Sequence, residues 1–371
     1  MADALYTQVH ETLRRRIREG TIGVGDRLPS QEELTDEFSV SAITIKRALD
    51  MLRDEGFVVR RPRIGTVVVS REPERDQRTG EAVVGYVVPG FDDAFGTRVL
   101  NGMLNRAPGR AHVVVATSHG DPDLEERLIE AQLERGLDAL VLLPSSSEFI
   151  PAAVVSLVGR QFPIVIVDRT LVGTPVSTVT SDNVAGGQLA AEHLFGLGHE
   201  QIALALSPNH VSTLDERRRG FVAAHAERHV RLRPEAIYAD VRSVVPGSVT
   251  AADDDVERLA AYLTSHPQVT GVVAAEYHSA RLVLQAARRA GRDVPTELSI
   301  ICFDAPPEFV DAAMPFTHIE QDQHALGGRA LELALEQVAD PAAVRQEIIA
   351  VRLVEGGSTA RPTAAQGSPT A

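Results

Sequence analysis

Apolar positions along this chain follow two rhythms, and the change of rhythm divides it. In the first seventy residues the spacing is helical. Leu5, Val9, Leu13 and Ile17 recur every four positions, which predicts a first helix with one apolar stripe. The turn-rich GVGDRLP interrupts it. Ser30 then stands three residues before Glu33, a capping-box signature, and Leu34 and Phe38 give a second helix a short buried face. Ser41 caps a third helix in which Ile45, Ala48, Leu49 and Leu52 must face the core, with Gly56 as its terminator. Two β-rich runs around a basic turn, FVVRRPRIGTVVV, predict a hairpin. Three short helices and a basic hairpin make a winged helix-turn-helix.

One isoleucine of the third helix falls off its apolar face. At about 100° per residue, Ile43 lies about 200° from Ile45. The outward face is then Ala42, Ile43, Thr44, Lys46, Arg47 and Asp50. An apolar side chain there can meet a thymine methyl, while Thr44, Lys46 and Arg47 can reach base edges or phosphates in a major groove. The alternative is a singly exposed isoleucine on an ordinary solvated helix. The hairpin arginines favour DNA. The expected partner is double-stranded operator DNA, contacted by Ser41, Ile43, Thr44, Lys46 and Arg47 of the helix and by Arg60, Arg61, Arg63, Gly65 and Thr66 of the wing.

The run SREPERDQRTGEA has charge but no apolar period and predicts a flexible linker over 71–81. Beyond it, β-branched runs alternate with amphipathic helices. VVGYVV, HVVVAT, ALVLL, IVIVD, IALAL, GVVAA and SIICFD are the expected strands, and LEERLIEAQLERG is one of the helices between them. Such alternation predicts parallel sheets covered on both faces. A single sheet would be unusually wide, so two α/β subdomains with a seam near VTSDN fit the length better. The fold class is thus α/β: a winged helix-turn-helix over 1–70, then a two-subdomain sensor over 82–358. The segment 359–371, lacking an apolar face, is expected to be disordered.

Ligands of open parallel sheets bind beyond the carboxyl ends of the strands. Those ends carry Asp92, Asp93, Ser145, Asp168, Arg169, Glu276 and Asp304, with Phe91, Phe95 and Tyr277 nearby. Carboxylates that accept from hydroxyls, beside aromatic rings, suit a polyhydroxylated ligand such as a sugar. Each carboxylate could equally be a loop N-cap. His225 and His229, one helical turn apart, are either a metal pair without an evident third ligand or surface histidines.

Composition narrows the chemistry. Cys302 is the only cysteine, so there is no intrachain disulfide and no multi-thiolate zinc site. Lys46 is the only lysine. A Schiff-base lysine, a P-loop lysine and a Ser–Lys dyad are therefore excluded after residue 46. GxGxxG, GxSxG and HExxH patterns are absent as well, and neither a cofactor nor a resident metal is expected. Of the net charge of −14, residues 1–78 contribute nothing, holding 14 basic and 14 acidic side chains. The acidic surplus lies entirely after them, which leaves the N-terminal part the more compatible with nucleic acid. No apolar run is long enough to span a membrane, and the N-terminus lacks a signal-peptide pattern, so a cytoplasmic protein is expected.

The residues also carry a resemblance. Leu5-Tyr6, Gly25-Asp26, Leu28-Pro29-Ser30, Val40-Ser41, Thr44, Arg47-Ala48-Leu49, Gly56 and Gly65-Thr66 resemble the GntR-type winged-helix domain over residues 5–68. Glu32 and Ala42 stand where that family commonly has arginine, and Arg63 where it has glycine. VGYVVPGFDDAFGTRVLNGM, PIVIVDR, VTSDNVAGGQLAAEHLFGLGHEQIALAL, ERRRGF and THIEQD resemble the LacI/GalR effector domain, itself similar to periplasmic sugar-binding proteins, over about 82–358. That resemblance implies ligand contacts at Asp168, Arg217 and Asp304, an aromatic contact at Phe95, and structural roles for His193 and His199. Inside the implied pocket, Glu276-Tyr277 replaces the usual Asn-Asp pair. The expected ligand set is Phe91, Asp93, Phe95, Ser145, Asp168, Arg217, Glu276, Tyr277 and Asp304. The combination resembles arabinose-repressor-type regulators and implies a homodimeric repressor released from its operator by a sugar-like effector. The rival expectations are a solute-binding receptor using the same cleft and, less compatible with the missing lysines, a sugar-processing enzyme.

Overall fold

The computed structural model describes residues 2–61, 65–71, 81–91, 95–304 and 315–362. Two compact units divide between residues 81 and 82. In the first, α1 (Ala2–Arg18), α2 (Gln31–Phe38) and α3 (Ala42–Asp54) precede an antiparallel hairpin of β1 (Val58–Arg61) and β2 (Gly65–Val68). Val9, Leu13, Ile17, Leu34, Ile45, Ala48, Leu52 and Phe57 form its core. The apolar stripe of α1 is shorter than its sequence period, because Leu5 is 44% exposed and sits one turn ahead of the core. The capping box forms: Ser30 Oγ accepts from Glu33 N–H at 3.3 Å, and Ser30 N–H donates to Glu33 at 2.6 Å. Ser39 closes α2 in the left-handed region, which permits the tight turn into α3. Of the expected linker, residues 72–80 lie outside the described residues.

The second unit holds two six-stranded sheets. Its first half contains β3 (Ala82–Val88), α4 (Gly96–Arg106), β4 (Ala111–Thr117), α5 (Pro122–Glu134), β5 (Ala139–Leu142), α6 (Ala152–Gly159), β6 (Ile164–Val167) and β7 (Ser177–Ser181). Its second contains α7 (Asn183–Leu197), β8 (Ile202–Ala205), α8 (Ser212–Glu227), β9 (Ile237–Tyr238), α9 (Ala252–Ser265), β10 (Gly271–Ala274), α10 (Tyr277–Arg289), β11 (Ser299–Phe303) and β12 (Thr317–Glu320). Then α11 (Gln323–Ala339) and β13 (Gln346–Ile349) return to the first half, and β14 (Arg352–Val354) to the second. The sheet orders are β13-β7-β6-β5-β3-β4 and β14-β12-β11-β10-β8-β9, so the halves repeat one topology. All pairings are parallel except β12 with β14.

β-Branched strands buried on both faces explain the layers. In the first sheet α4 and α11 pack on one face and α5 and α6 on the other; in the second the corresponding pairs are α7 with α8 and α9 with α10. The seam falls where the sequence places it. β7 ends at Ser181 in the first sheet, and α7 begins at Asn183 against the second.

Two expectations need correction. Ordered structure extends past residue 358: Ser358 is fully buried, Thr359 meets His193 at 3.1 Å, and His199 Nε2 lies 2.9 Å from Ala360 O. Hydroxyls and carbonyls hold this segment, so it needs no apolar face; residues 363–371 lie outside the described ones. His225 is not a surface residue either. Its ring packs against Phe195 and Phe221 at centroid distances of 4.9 and 4.5 Å, and Nδ1 lies 2.8 Å from Phe221 O. His229 is exposed, and no cluster able to hold a metal exists among the described residues.

Candidate nucleic-acid interface and effector cavity

In the first unit, Ser41 anchors the outward helix. Its hydroxyl accepts from Thr44 N–H at 3.2 Å and meets Thr44 Oγ1 at 2.8 Å, which orients the first turn of α3. Beyond it Ile43 is 79% exposed, with Ala42, Lys46 and Arg47 exposed beside it. The Arg47 guanidinium stacks 4.0 Å over the Tyr6 ring, so that arginine is held against α1. Arg60 and Arg61 project from β1, and Gly65 and Thr66 face them across the hairpin register. Arg63 lies outside the described residues. A groove of ≈ 200 Å³ runs between α3 and the hairpin, lined by Arg27, Ser30, Gln31, Lys46, Arg53, Arg60 and Thr66 among others. Sequence reasoning did not foresee Arg27 and Arg53. Arg27 sits in the turn before α2 and bridges to Val67, a pairing without any local signal.

In the second unit, a cavity of ≈ 290 Å³ opens between the carboxyl ends of the two sheets. Phe91, Phe95, Asp168, Arg217, Glu276, Tyr277 and Asp304 all line it. Asp93 lies outside the described residues. Ser145 is a correction: its N–H and hydroxyl both donate to the buried Glu125 carboxylate, at 2.7 and 2.6 Å, and it is not among the lining residues. A serine at a strand end can satisfy a buried acid as readily as a ligand.

The two aspartates occupy equivalent places. Asp168 follows β6 and Asp304 follows β11, each third in its sheet order from the corresponding end. Each donates its N–H to the neighbouring strand, Asp168 to Val179 O (2.8 Å) and Asp304 to Ile319 O (3.0 Å). Both have positive φ, +66° and +75°, a conformation that a non-glycine residue holds at a cost and that clusters at functional sites. This backbone turn aims both side chains into the cavity wall.

Arg217 reaches the cavity from α8. Its Nε donates to Asn183 Oδ1 at 2.9 Å, its Nη1 to Ala275 O at 2.5 Å, and its guanidinium lies 4.1 Å over Phe303. Gln321 donates to Asp304 Oδ1, and Arg169 to Pro144 O. Gln321 was not foreseen, although it stands just past the end of β12. Burial pushes the Asp168 and Glu276 carboxyls up and the Arg169 guanidinium down; the nearby opposite charges oppose those shifts. Among the described residues, three buried polar atoms of the cavity lining have no hydrogen-bond partner: Asp168 Oδ1, Arg169 Nε and Gln321 Oε1. Such atoms are rare in native interiors and, in a cavity wall, present unused hydrogen-bonding capacity to a ligand.

A winged helix with a basic outward face, in one chain with a two-lobed α/β unit around a polar cavity, defines a DNA-binding transcription regulator with an effector domain. Comparison with known proteins gives the same class. Residues 5–68 match the bacterial regulatory proteins of the gntR family, and residues 191–359 match the periplasmic binding protein-like domain, so the chain carries one of each. The arabinose metabolism transcriptional repressor of Halalkalibacterium halodurans is 24% identical over 89% of this chain and 88% of its own. HTH-type transcriptional regulator reg1 of Streptomyces lividans is 26% identical over 91% and 98%. The fold of a LacI family transcriptional regulator from Enterococcus faecium, solved with bound ribose, matches with a TM-score of 0.63 at 22% identity, over 75% of this chain and 99% of that one. These proteins are transcription regulators, not enzymes. No helix of the described residues is long and apolar enough to cross a membrane.

Proposed function

We propose that the chain is a cytoplasmic, homodimeric repressor of sugar-utilisation genes that leaves a pseudo-palindromic operator when a single sugar-sized molecule enters the cavity. The observation that carries the sugar reading is the set of unpartnered Asp168 Oδ1, Arg169 Nε and Gln321 Oε1 around ≈ 290 Å³. That volume is at the small end of the range for ligand sites, about 300–1,000 Å³. A vicinal polyol offers both donors and acceptors to these atoms, and its ring can lie against Phe91 or Phe95. The sugar named for the arabinose repressor, a relative that aligns over most of this chain, agrees with that chemistry. The expected ligand contacts are Phe91, Phe95, Asp168, Arg217, Glu276, Tyr277 and Asp304, and, on the sequence alone, Asp93. Binding would draw the halves together across the crossings after β7 and β12 and shift the population away from the operator-competent form.

A thermal-shift screen against pentoses, hexoses, polyols and their phosphates tests this. A true effector at a hundredfold excess over its Kd stabilises the sensor by about 2.7 kcal/mol. The same compound should weaken operator binding several-fold to about a hundredfold, the span of ordinary allosteric coupling. A panel without any stabilising sugar would refute the reading.

The DNA half is tested separately. Lys46→Ala and Arg61→Ala should each weaken binding to every sequence and reduce the salt slope by about one phosphate contact. Ile43→Ala should relax preference at one base pair instead, with little change in the slope. An unaltered sequence profile for Ile43→Ala returns that side chain to the merely exposed class.

A further inference from the structure

Helix α8 begins without a cap of its own. The residue in its N-cap position is Val211, whose side chain has no acceptor for the orphan N–H groups of a first helical turn. One of those groups, Ser212 N–H, donates instead to Ser147 Oγ at 2.9 Å. Ser147 stands in the loop between β5 and α6, in the first half of the sensor, whereas α8 belongs to the second. The cap is therefore supplied across the cleft.

The exchange runs both ways. Thr170 N–H, two residues past Asp168 in the first half, donates to Ser212 Oγ at 3.0 Å. Ser147 N–H donates to His210 O, also at 3.0 Å. The exposed Glu148–His210 contact at 3.5 Å adds little beside these bonds. The Ser147 loop is not free to follow α8, because its own half holds it. Ser145 is tied to Glu125 on α5, and Arg169 donates to Pro144 O. Further along the lip, the loops after the edge strands β4 and β9 also meet: a Cβ on Gly120 would stand 2.7 Å from Pro246 Cβ. These loops lie at the opposite end of each sheet from the crossings after β7 and β12, where a hinge motion separates the halves most.

Position links the clasp to the cavity. Thr170 follows Asp168 and Arg169, and Ser212 precedes Thr213, with Arg217 on the same helix; all four neighbours line the cavity. Ser147, Thr170 and Ser212 are themselves outside the lining. The clasp thus fixes the two walls relative to each other without touching what lies between them. Opening the cleft removes its hydrogen bonds together and leaves α8 uncapped.

We propose that Ser147 and Ser212 are positioning residues of the effector site: they clasp the two halves and give the closed form a helix cap that α8 cannot supply for itself. A ligand that touches both walls and a clasp that spans them stabilise the same closed form. Weakening the clasp lowers the closed fraction, and the apparent affinity falls with it. The effect on affinity rests on the effector reading above; the clasp itself does not.

Two measurements on the full chain test this. Hydrogen exchange of the ligand-free protein reads the clasp alone. Ser147→Ala should speed exchange of the Thr170 amide several-fold, although Thr170 bonds to Ser212 and not to residue 147. Ser147→Thr, which keeps the hydroxyl, should restore most of the protection. Exchange at Thr170 that is equal in Ser147→Ala and wild type overturns the proposal. Calorimetric and stopped-flow titration with the pentose or hexose that most stabilises the wild-type chain reads the consequence for the site. Ser147→Ala and Ser212→Ala should each weaken binding about three- to tenfold, the range of one net hydrogen bond, through faster dissociation. Operator binding without the sugar should stay at the wild-type level. A lowered melting temperature with an unchanged dissociation rate would assign the serines to stability alone and overturn their positioning role. If no pentose or hexose binds the wild-type chain, the sugar reading falls, and the exchange experiment still decides the clasp.

Discussion

Gly220→Val is expected to unfold the second half of the sensor, and Gly187→Val to do the same from the facing helix. The two glycines lie where α7 and α8 cross. A Cβ on Gly220 would fall within the van der Waals envelope of Val184 O, and one on Gly187 would meet Arg217 O in the same way. Both obstacles are backbone atoms inside helices, so no side chain can swing aside. Overpacking ordinarily costs about 1–3 kcal/mol when neighbours can adjust. Here the helices themselves must separate, and a loss above about 3 kcal/mol is expected against a typical total of about 5–15. Gly196→Ala is the control. It lies in the same helix α7 with open space around its would-be Cβ, and should stabilise by up to about 1 kcal/mol through helix propensity. Urea melts of the three variants decide the matter. A Gly220→Val midpoint close to wild type would mean that the α7–α8 crossing is looser than these approaches require.

The same pattern recurs in the other half. Gly102 of α4 abuts His324 O, and Gly327 of α11 abuts Val99 O. Each sheet is therefore covered on one side by a helix pair that crosses at backbone contact. This matters for the site because Gly187 packs on the carbonyl of Arg217 itself. The milder Gly187→Ala should displace α8 slightly and weaken effector binding along with stability.

Much of this arrangement was legible in the residues, and what was not has physical reasons. Strands with β-branched runs, such as ALVLL and IVIVD, announce themselves because both faces are buried. β7, with the sequence STVTS, and β12, with THIE, carry polar side chains into fully paired positions and give no such signal. The strand ends locate Asp168, Glu276 and Asp304 because parallel sheets put their ligands there. Ser145 shares that address but turns to Glu125, an acid buried on α5 twenty residues earlier. Only the fold brings these two together. Gln321 escaped notice because its pairing with Asp304 joins adjacent strands β11 and β12 across a long excursion of chain. The winged helix was the more readable unit, since caps and core spacing are local properties. The burial of Leu5 was overestimated because helical period alone does not say where the core ends.

The pocket assignment makes the second large prediction, and stability can distinguish it from its alternative. Asp168→Asn and Asp304→Asn should each cost about 1.5–3 kcal/mol of effector affinity, the worth of a hydrogen bond to a charged group. Asparagine is the right replacement because it tolerates the positive φ of both positions, whereas alanine would add backbone strain. Operator binding without effector should survive, giving a repressor that no longer responds. For Asp168 the effect on stability has the opposite sign. Its Oδ1 has no hydrogen-bond partner among the described residues and burial holds its carboxyl above the ordinary range, so the ionised form is disfavoured by folding. A group whose folded-state pKa is raised this way contributes fully in acid and loses that contribution as pH rises through the interval up to the folded value. Asp168→Asn should therefore melt higher than wild type at neutral pH, and the two curves should converge as the pH falls. If Asp168 instead served as a cap or as an ion pair joining the halves, its replacement would lower the melting temperature at neutral pH and leave effector affinity unchanged. Thermal melts across pH beside calorimetric titrations of the same two variants separate these outcomes. Normal affinity in both variants would dismantle the pocket as assigned, because the unpartnered carboxylate oxygen would then have no ligand to meet.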